Sequence, residues 1–174
     1  KTKNTRGAYV ASMNISDTLQ LLDAYVISER VISTFADLAQ KSFLKDLKIL
    51  QNQYEKVCLK PNLLLITEIN SKFHNRIAES TNNQFLISHS AHLHNLSRRL
   101  SYFVYKFESQ SKEKLTKHLK KINKDHQEII NQVEIGNQKK LITSCTEHAE
   151  MFRKRLQKVI KRKGINKLDL TEIK

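Results

Sequence analysis

Three histidines interrupt the apolar stripes of three separate predicted helices. His74, His126 and His148 each stand where a helical repeat of three or four residues predicts an inward side chain. A buried imidazole is unfavourable unless both ring nitrogens have partners. A single inward histidine is usually a hydrogen-bonded core residue. Three on separate helices also fit a metal site, because a neutral imidazole binds a transition metal through one nitrogen and donates a hydrogen bond through the other.

Other side chains that could bind a ligand are spread over the third and fourth predicted helices. Asn70 precedes His74 by four residues, so both lie on one helix face. Arg99, like its neighbour Arg98, either binds a carboxylate through its planar fork or is a solvated surface arginine. His89 lies on an apolar stripe, where it lines a pocket or packs. The remaining histidines, His92, His94 and His118, are predicted at the surface or at its boundary.

Motifs of common enzyme classes are missing from the sequence. There is no Gly-x-Ser-x-Gly elbow, Walker loop, dinucleotide fingerprint or Cys-x-x-Cys pair. The apolar stripes offer no inward Asp or Glu as a general base for a metal-bound water. We therefore predict that the chain is not an enzyme. A metal-dependent hydrolase is the rival prediction, and a metal-free helical interaction domain is the third.

The scarcity of Gly (3) and Pro (1) in 174 residues, with 39% hydrophobic residues, favours long helices over short strands. Apolar periodicity predicts an all-helical bundle. Six helices are expected: from a cap at Ser16 or Asp17 to about 40, then 42–59, 62–80, and stripes over 86–107, 115–133 and 141–161. Residues 5–11 look like a short strand with no partner in the chain.

The formal net charge of +14 makes nucleic acid the first partner to consider, although a general bias towards lysine would give the same balance. No apolar run reaches the roughly 20 residues that span a bilayer, and no signal peptide is visible. Cys58 and Cys145 are interpreted as reduced thiols in a cytoplasmic protein.

The order and spacing of the polar positions resemble a known family. The matching elements are Asn70-x-x-Phe73-His74, then Asn83-x-x-Leu86, then His126 with Gly136-Asn137, and finally His148. Over nearly its whole length the chain resembles the C-terminal effector-binding (FCD) domain of FadR-type GntR transcription regulators. The N-terminal Arg6–Ala11 segment resembles the end of the wing of the winged helix-turn-helix that precedes this domain in the family.

The resemblance implies an antiparallel bundle of six or seven helices that forms a homodimer. It assigns residues 1–14 to the wing end and linker, 15–163 to the effector-binding and dimerisation domain, and 164–174 to a polar tail. DNA would be bound by a winged-helix domain outside this chain.

The resemblance also implies a site for Zn²⁺ or Ni²⁺, whose coordination a small carboxylate effector completes. Residue by residue, the ligands would be Asn70, His74, His126 and His148. Position 70 departs from the family pattern, which has Asp there, so this chain brings one negative charge fewer. Arg30 and Arg99 are the candidates for binding the effector carboxylate, and His89 is the candidate for lining the effector pocket.

Overall fold

Six helices make up most of the chain that the computed structural model describes, residues 13–163 and 167–168. They are α1 (Ile15–Phe35), α2 (Lys41–Leu59), α3 (Leu63–Glu79), α4 (Gln84–Glu108), α5 (Lys112–Glu134) and α6 (Gln138–Lys163). Two short strands, β1 (Met13–Asn14) and β2 (Lys167–Leu168), pair antiparallel next to the start of α1 and the end of α6. The prediction of an all-helical bundle is confirmed. The predicted strand at 5–11 lies outside the described residues.

Asparagine and serine side chains fix where the helices begin. Asn14 caps α1, since its Oδ1 accepts a hydrogen bond from the Asp17 backbone N–H at 2.8 Å. The prediction of Ser16 or Asp17 as the cap was wrong, because both already lie within the first helical turn. Equivalent side-chain caps stand before α3, α4 and α5, at Asn62, Asn83 and Ser111.

The helices pack so that distant parts of the sequence meet in the middle of the bundle. α1 lies against α6 and α4, α3 lies against α2 and α4, and α5 lies against α2 and α6. α1 and α6 run antiparallel, since Tyr25 contacts Phe152 while Gln138 bonds the carbonyl of Thr34. The start of α1 and the end of α6 therefore lie at one end of the bundle.

Within the described part of the chain, the apolar core forms three clusters, and histidines contact all three. Tyr25 belongs to the cluster of α1, α4 and α6, Phe73 to the cluster around α2, α3 and α5, and Tyr54 to the third. His126 stacks on Phe73, with ring centroids 4.1 Å apart and an interplanar angle of 8°. Its ring also lies 5.2 Å from Tyr54. Among the described helices, none combines the length and apolar character needed to cross a membrane.

Candidate metal centre

The three inward histidines meet at one point in the core, although they come from α3, α5 and α6. One nitrogen from each of His74, His126 and His148 lies within 4.8 Å of a nitrogen from each of the others. Their ring centroids are 5.0 to 5.6 Å apart. All three side chains are buried. The helical spacing predicted inward side chains, and helix packing brings them together.

Each of the three imidazoles forms a hydrogen bond through Nδ1 to a side-chain oxygen of another residue. His74 Nδ1 lies 2.8 Å from Glu29 Oε2, and His126 Nδ1 lies 2.9 Å from Gln51 Oε1. His148 Nδ1 is 3.4 Å from Asp125 Oδ2. Because these partners are acceptor oxygens, each Nδ1 carries a proton, which leaves Nε2 of a neutral ring with its lone pair. In this tautomer a histidine can bind a metal through Nε2 while Nδ1 donates its hydrogen bond.

The amide of Gln51 is itself oriented by two further hydrogen bonds. Its Nε2 donates to Glu55 Oε1 at 2.8 Å and to Asn123 Oδ1 at 2.9 Å. With the amide nitrogen committed, the oxygen of Gln51 faces His126. The tautomer of His126 is thus set by a chain of contacts that reaches across α2 and α5.

Three buried polar atoms around this point have no hydrogen-bond partner among the described residues. They are His74 Nε2, His126 Nε2 and Asn70 Oδ1. A buried acceptor without a partner costs about 1–3 kcal/mol, so three together are unusual in a folded core. All three are lone-pair donors of the type that binds divalent transition metals. The residues therefore fit a metal ion, and a purely hydrogen-bonded histidine core fits them less well.

Glu29 is the main feature of the site that the sequence prediction missed. This α1 carboxylate is only 3% exposed, and it bridges His74 at 2.8 Å and His94 Nε2 at 2.9 Å. Burial alone would favour the neutral acid, but His74 and His94 outweigh it and hold the pKa of Glu29 well below its usual range. The prediction that the apolar stripes offer no inward Asp or Glu as a general base overlooked Glu29, which lies inward on the α1 stripe. The surface placement of His94 was wrong, because this residue is 2% exposed.

Glu29 also forms a second candidate metal-binding group with His74 and His94. Each carboxylate oxygen of Glu29 is already engaged by one imidazole nitrogen. The same engagement leaves it poorly suited to activate a metal-bound water, which disfavours the hydrolase prediction. Its position instead suits a partner that orients His74 and supplies negative charge to the site.

His118 is likewise buried rather than at the surface. Its Nδ1 lies 2.6 Å from Glu108 Oε2, and the other oxygen of Glu108 accepts from Arg155 at 2.6 Å. Burial lowers the pKa of His118, although Glu108 opposes this. His118, Asn70 and His148 line one small cavity of about 20 Å³, room for about one water molecule.

The three predicted effector-binding residues do not line this cavity. Arg30 and His89 are exposed on α1 and α4, and Arg99 is half-buried on α4. Their assignment to the effector stays a prediction. Ser101 and Tyr105, which the sequence analysis did not single out, contribute to the cavity wall instead.

Acid should destabilise the chelator-treated chain before its carboxylates titrate. Burial lowers the pKa of His126 well below its ordinary value, with His148 and His74 lowering it further, and burial also lowers that of His148. Unfolded histidine takes up its proton near about pH 6.5, so the unfolded state binds more protons below that pH. The stability that comes from keeping His126 and His148 neutral is present above about pH 6.5, and it is lost as the pH falls towards their pKa values in the folded chain. Urea unfolding at stepped pH measures this, and a free energy of unfolding that stays flat from about pH 7 to 5 contradicts it.

A comparison with protein-family models matches residues 26–151 to the FCD domain. The match covers most of the chain and includes all four predicted metal ligands. A search of curated proteins finds no match.

Proposed function

The chain belongs to the FCD domain family, the effector-binding domains of GntR-type transcription regulators, and we propose that it senses a small carboxylate through a divalent transition metal in its core. The observation that carries this proposal is the convergence of His74, His126 and His148 beside unpartnered Nε2 and Oδ1 atoms. Family membership alone supports a regulatory effector-binding role. The metal and the class of effector rest on the site.

We assign His74, His126 and His148 as ligands of Zn²⁺ or Ni²⁺, with the Asn70 amide oxygen as a weaker fourth. The metal would supply a positive charge that attracts an anionic ligand. Three neutral imidazoles and an amide bring no negative charge, so the carboxylates of Glu29 behind His74 and Asp125 behind His148 would compensate the metal. A carboxylate effector would add to it, and metal and effector should therefore bind with positive coupling.

The interior cavity is so small that an effector could enter it only if side chains move. With room for about one water molecule beside Asn70 and His148, an organic acid must displace part of the wall. Met151 and Phe152 on α6 and Tyr25 on α1 form that wall. Effector binding would thus shift the packing between α1 and α6, which is the kind of two-state element that regulation needs.

The proposed regulator acts as a homodimer that positions two winged-helix domains on two operator half-sites. An exposed apolar stripe on α1 supports such an interface. Ile27 and Phe35 are each 63% exposed and Val31 is 37% exposed, at helical spacing along one face. Native mass spectrometry of the purified chain reads its oligomeric state and its metal together.

Calorimetry tests the coupling on which this function depends. A panel of mono-, di- and tricarboxylates is titrated into zinc-loaded and chelator-treated chain. At least one acid should bind the loaded form more tightly, by about 5- to 150-fold, the usual range for coupled sites. Equal affinity in both forms would remove the metal from the effector site. Absence of zinc binding would leave a metal-free interaction domain.

A further inference from the structure

A groove of about 790 Å³ runs along the surface between α5 and α6, and basic side chains form both of its rims. One rim carries Lys114, Lys117 and Lys121 of α5, and the other carries Lys154, Lys158 and Arg162 of α6. We call this the α5–α6 groove. Its floor includes Phe107, Met151 and Val159.

The positive charge of the α5–α6 groove is mostly uncompensated. Lys121 pairs with Asp125, but the five other rim cations have no ion pair within the described residues. Glu108 is engaged by Arg155 and His118, and Glu150 is bonded to Arg153. Glu147 is the one lining carboxylate without an ion pair among the described residues. An anionic occupant would therefore meet a strongly favourable potential.

The cations stand in two lines rather than around a point. At a rise of 1.5 Å per residue, the α5 row is about 10 Å long and the α6 row about 12 Å. One strand of B-DNA carries a charge every 3.4 Å along the axis, so about three or four phosphates match this length. A small anion would need cations that converge, and carboxylate recognition favours arginine forks over lysines. Five of the six rim cations are lysines.

The α5–α6 groove opens at the end of the bundle where α1 begins. Arg162 lies one residue before the end of α6, and β2, just beyond, pairs with β1. Under the proposed function, a winged-helix domain joins α1 at this end and holds DNA there. We propose that the α5–α6 groove binds the phosphate backbone of DNA, independently of base sequence. This proposal rests on the proposed function only for the presence of DNA at this end of the bundle, because the charge and shape of the groove are independent of that function.

The test measures binding of a short labelled DNA duplex of arbitrary sequence over a salt series, by fluorescence anisotropy. The groove variant is Lys117→Gln with Lys158→Gln, and both side chains are exposed. The matched control is Lys45→Gln with Lys56→Gln. Both lysines are exposed on α2, and replacing them removes the same charge as the groove variant does. We expect the groove variant to lose about tenfold in affinity at low salt and its log–log salt slope to flatten by about two. The control should keep at least half of the affinity.

Two results would overturn the proposal. Equal losses in the groove and control variants would mean that the net charge alone attracts DNA. A labelled polyglutamate peptide of matched charge that binds as tightly, with the same sensitivity to the groove variant, would assign the groove to an acidic polypeptide. These variants do not change His74, His126 or His148. Zinc titration of the same proteins therefore tests the proposed function separately from DNA binding.

Discussion

Replacing His126 by alanine should abolish zinc binding at micromolar metal. A nitrogen of this imidazole lies within 4.8 Å of one from His74 and one from His148, and its Nδ1 is fixed by Gln51, so its Nε2 is a preorganised metal ligand. Loss of an outer partner alone usually costs about 10- to 100-fold in metal affinity, and loss of the ligand itself should exceed about 100-fold. Competition with a chromogenic chelator measures the affinity.

The matched control for this variant is His92→Ala, because His92 is an exposed histidine of α4. It should bind zinc as the unmodified chain does. Thermal unfolding with and without zinc supplies a second measurement, since a metal that binds only the folded state raises the melting temperature. A zinc-dependent rise that persists in His126→Ala would show that the metal binds elsewhere.

Replacing Glu29 should separate its structural role from its role towards the metal. Glu29→Ala leaves His74 and His94 without their acceptor in the core, and each buried donor left without a partner costs about 1–3 kcal/mol in the free energy of unfolding. Glu29→Gln keeps the volume and one acceptor oxygen but removes the charge. We expect Glu29→Gln to fold and to bind zinc about 10- to 100-fold more weakly.

A second substitution tests whether charge is the reason. Asn70→Asp, introduced into Glu29→Gln, returns a negative charge beside the same metal position and should recover part of the lost zinc affinity. Glu79→Gln, at an exposed glutamate of α3, is the neutral control. Unchanged zinc affinity in Glu29→Gln would mean that Glu29 only packs the histidines.

The sequence was sufficient for the fold class and for the family, and less so for the surroundings of the site. The apolar repeat of three or four residues was enough to predict that His74, His126 and His148 point inward, because helix geometry places such positions on one face. Their partners Gln51 and Glu29 lie 75 and 45 residues away along the chain, and no local pattern predicts such a contact. The four metal-ligand assignments and the effector assignments stay predictions.

Glu29 did leave a signal that periodicity could have found. It stands four residues after Tyr25 and three before Ile32, in the middle of the buried stripe of α1. A charged residue at such a position is costly unless a partner is present, so it marks a buried polar contact. His94 was harder to place, because serines at 90 and 97 share its buried face and weaken the apolar stripe. His118 follows Leu115 by three residues on a helix rich in lysine, which made it resemble a surface position.

The dispersal of the candidate ligands over α3, α5 and α6 has a consequence for how the chain acquires its metal. A hairpin of two neighbouring helices contains at most two of the three imidazoles, and the Nδ1 partners come from α1, α2 and α5. Tight binding must therefore wait until the last of these helices has docked. The metal would bind late in folding. It would therefore slow unfolding and leave the rate of folding little changed. Metal content would then report how much of a preparation has reached its final topology.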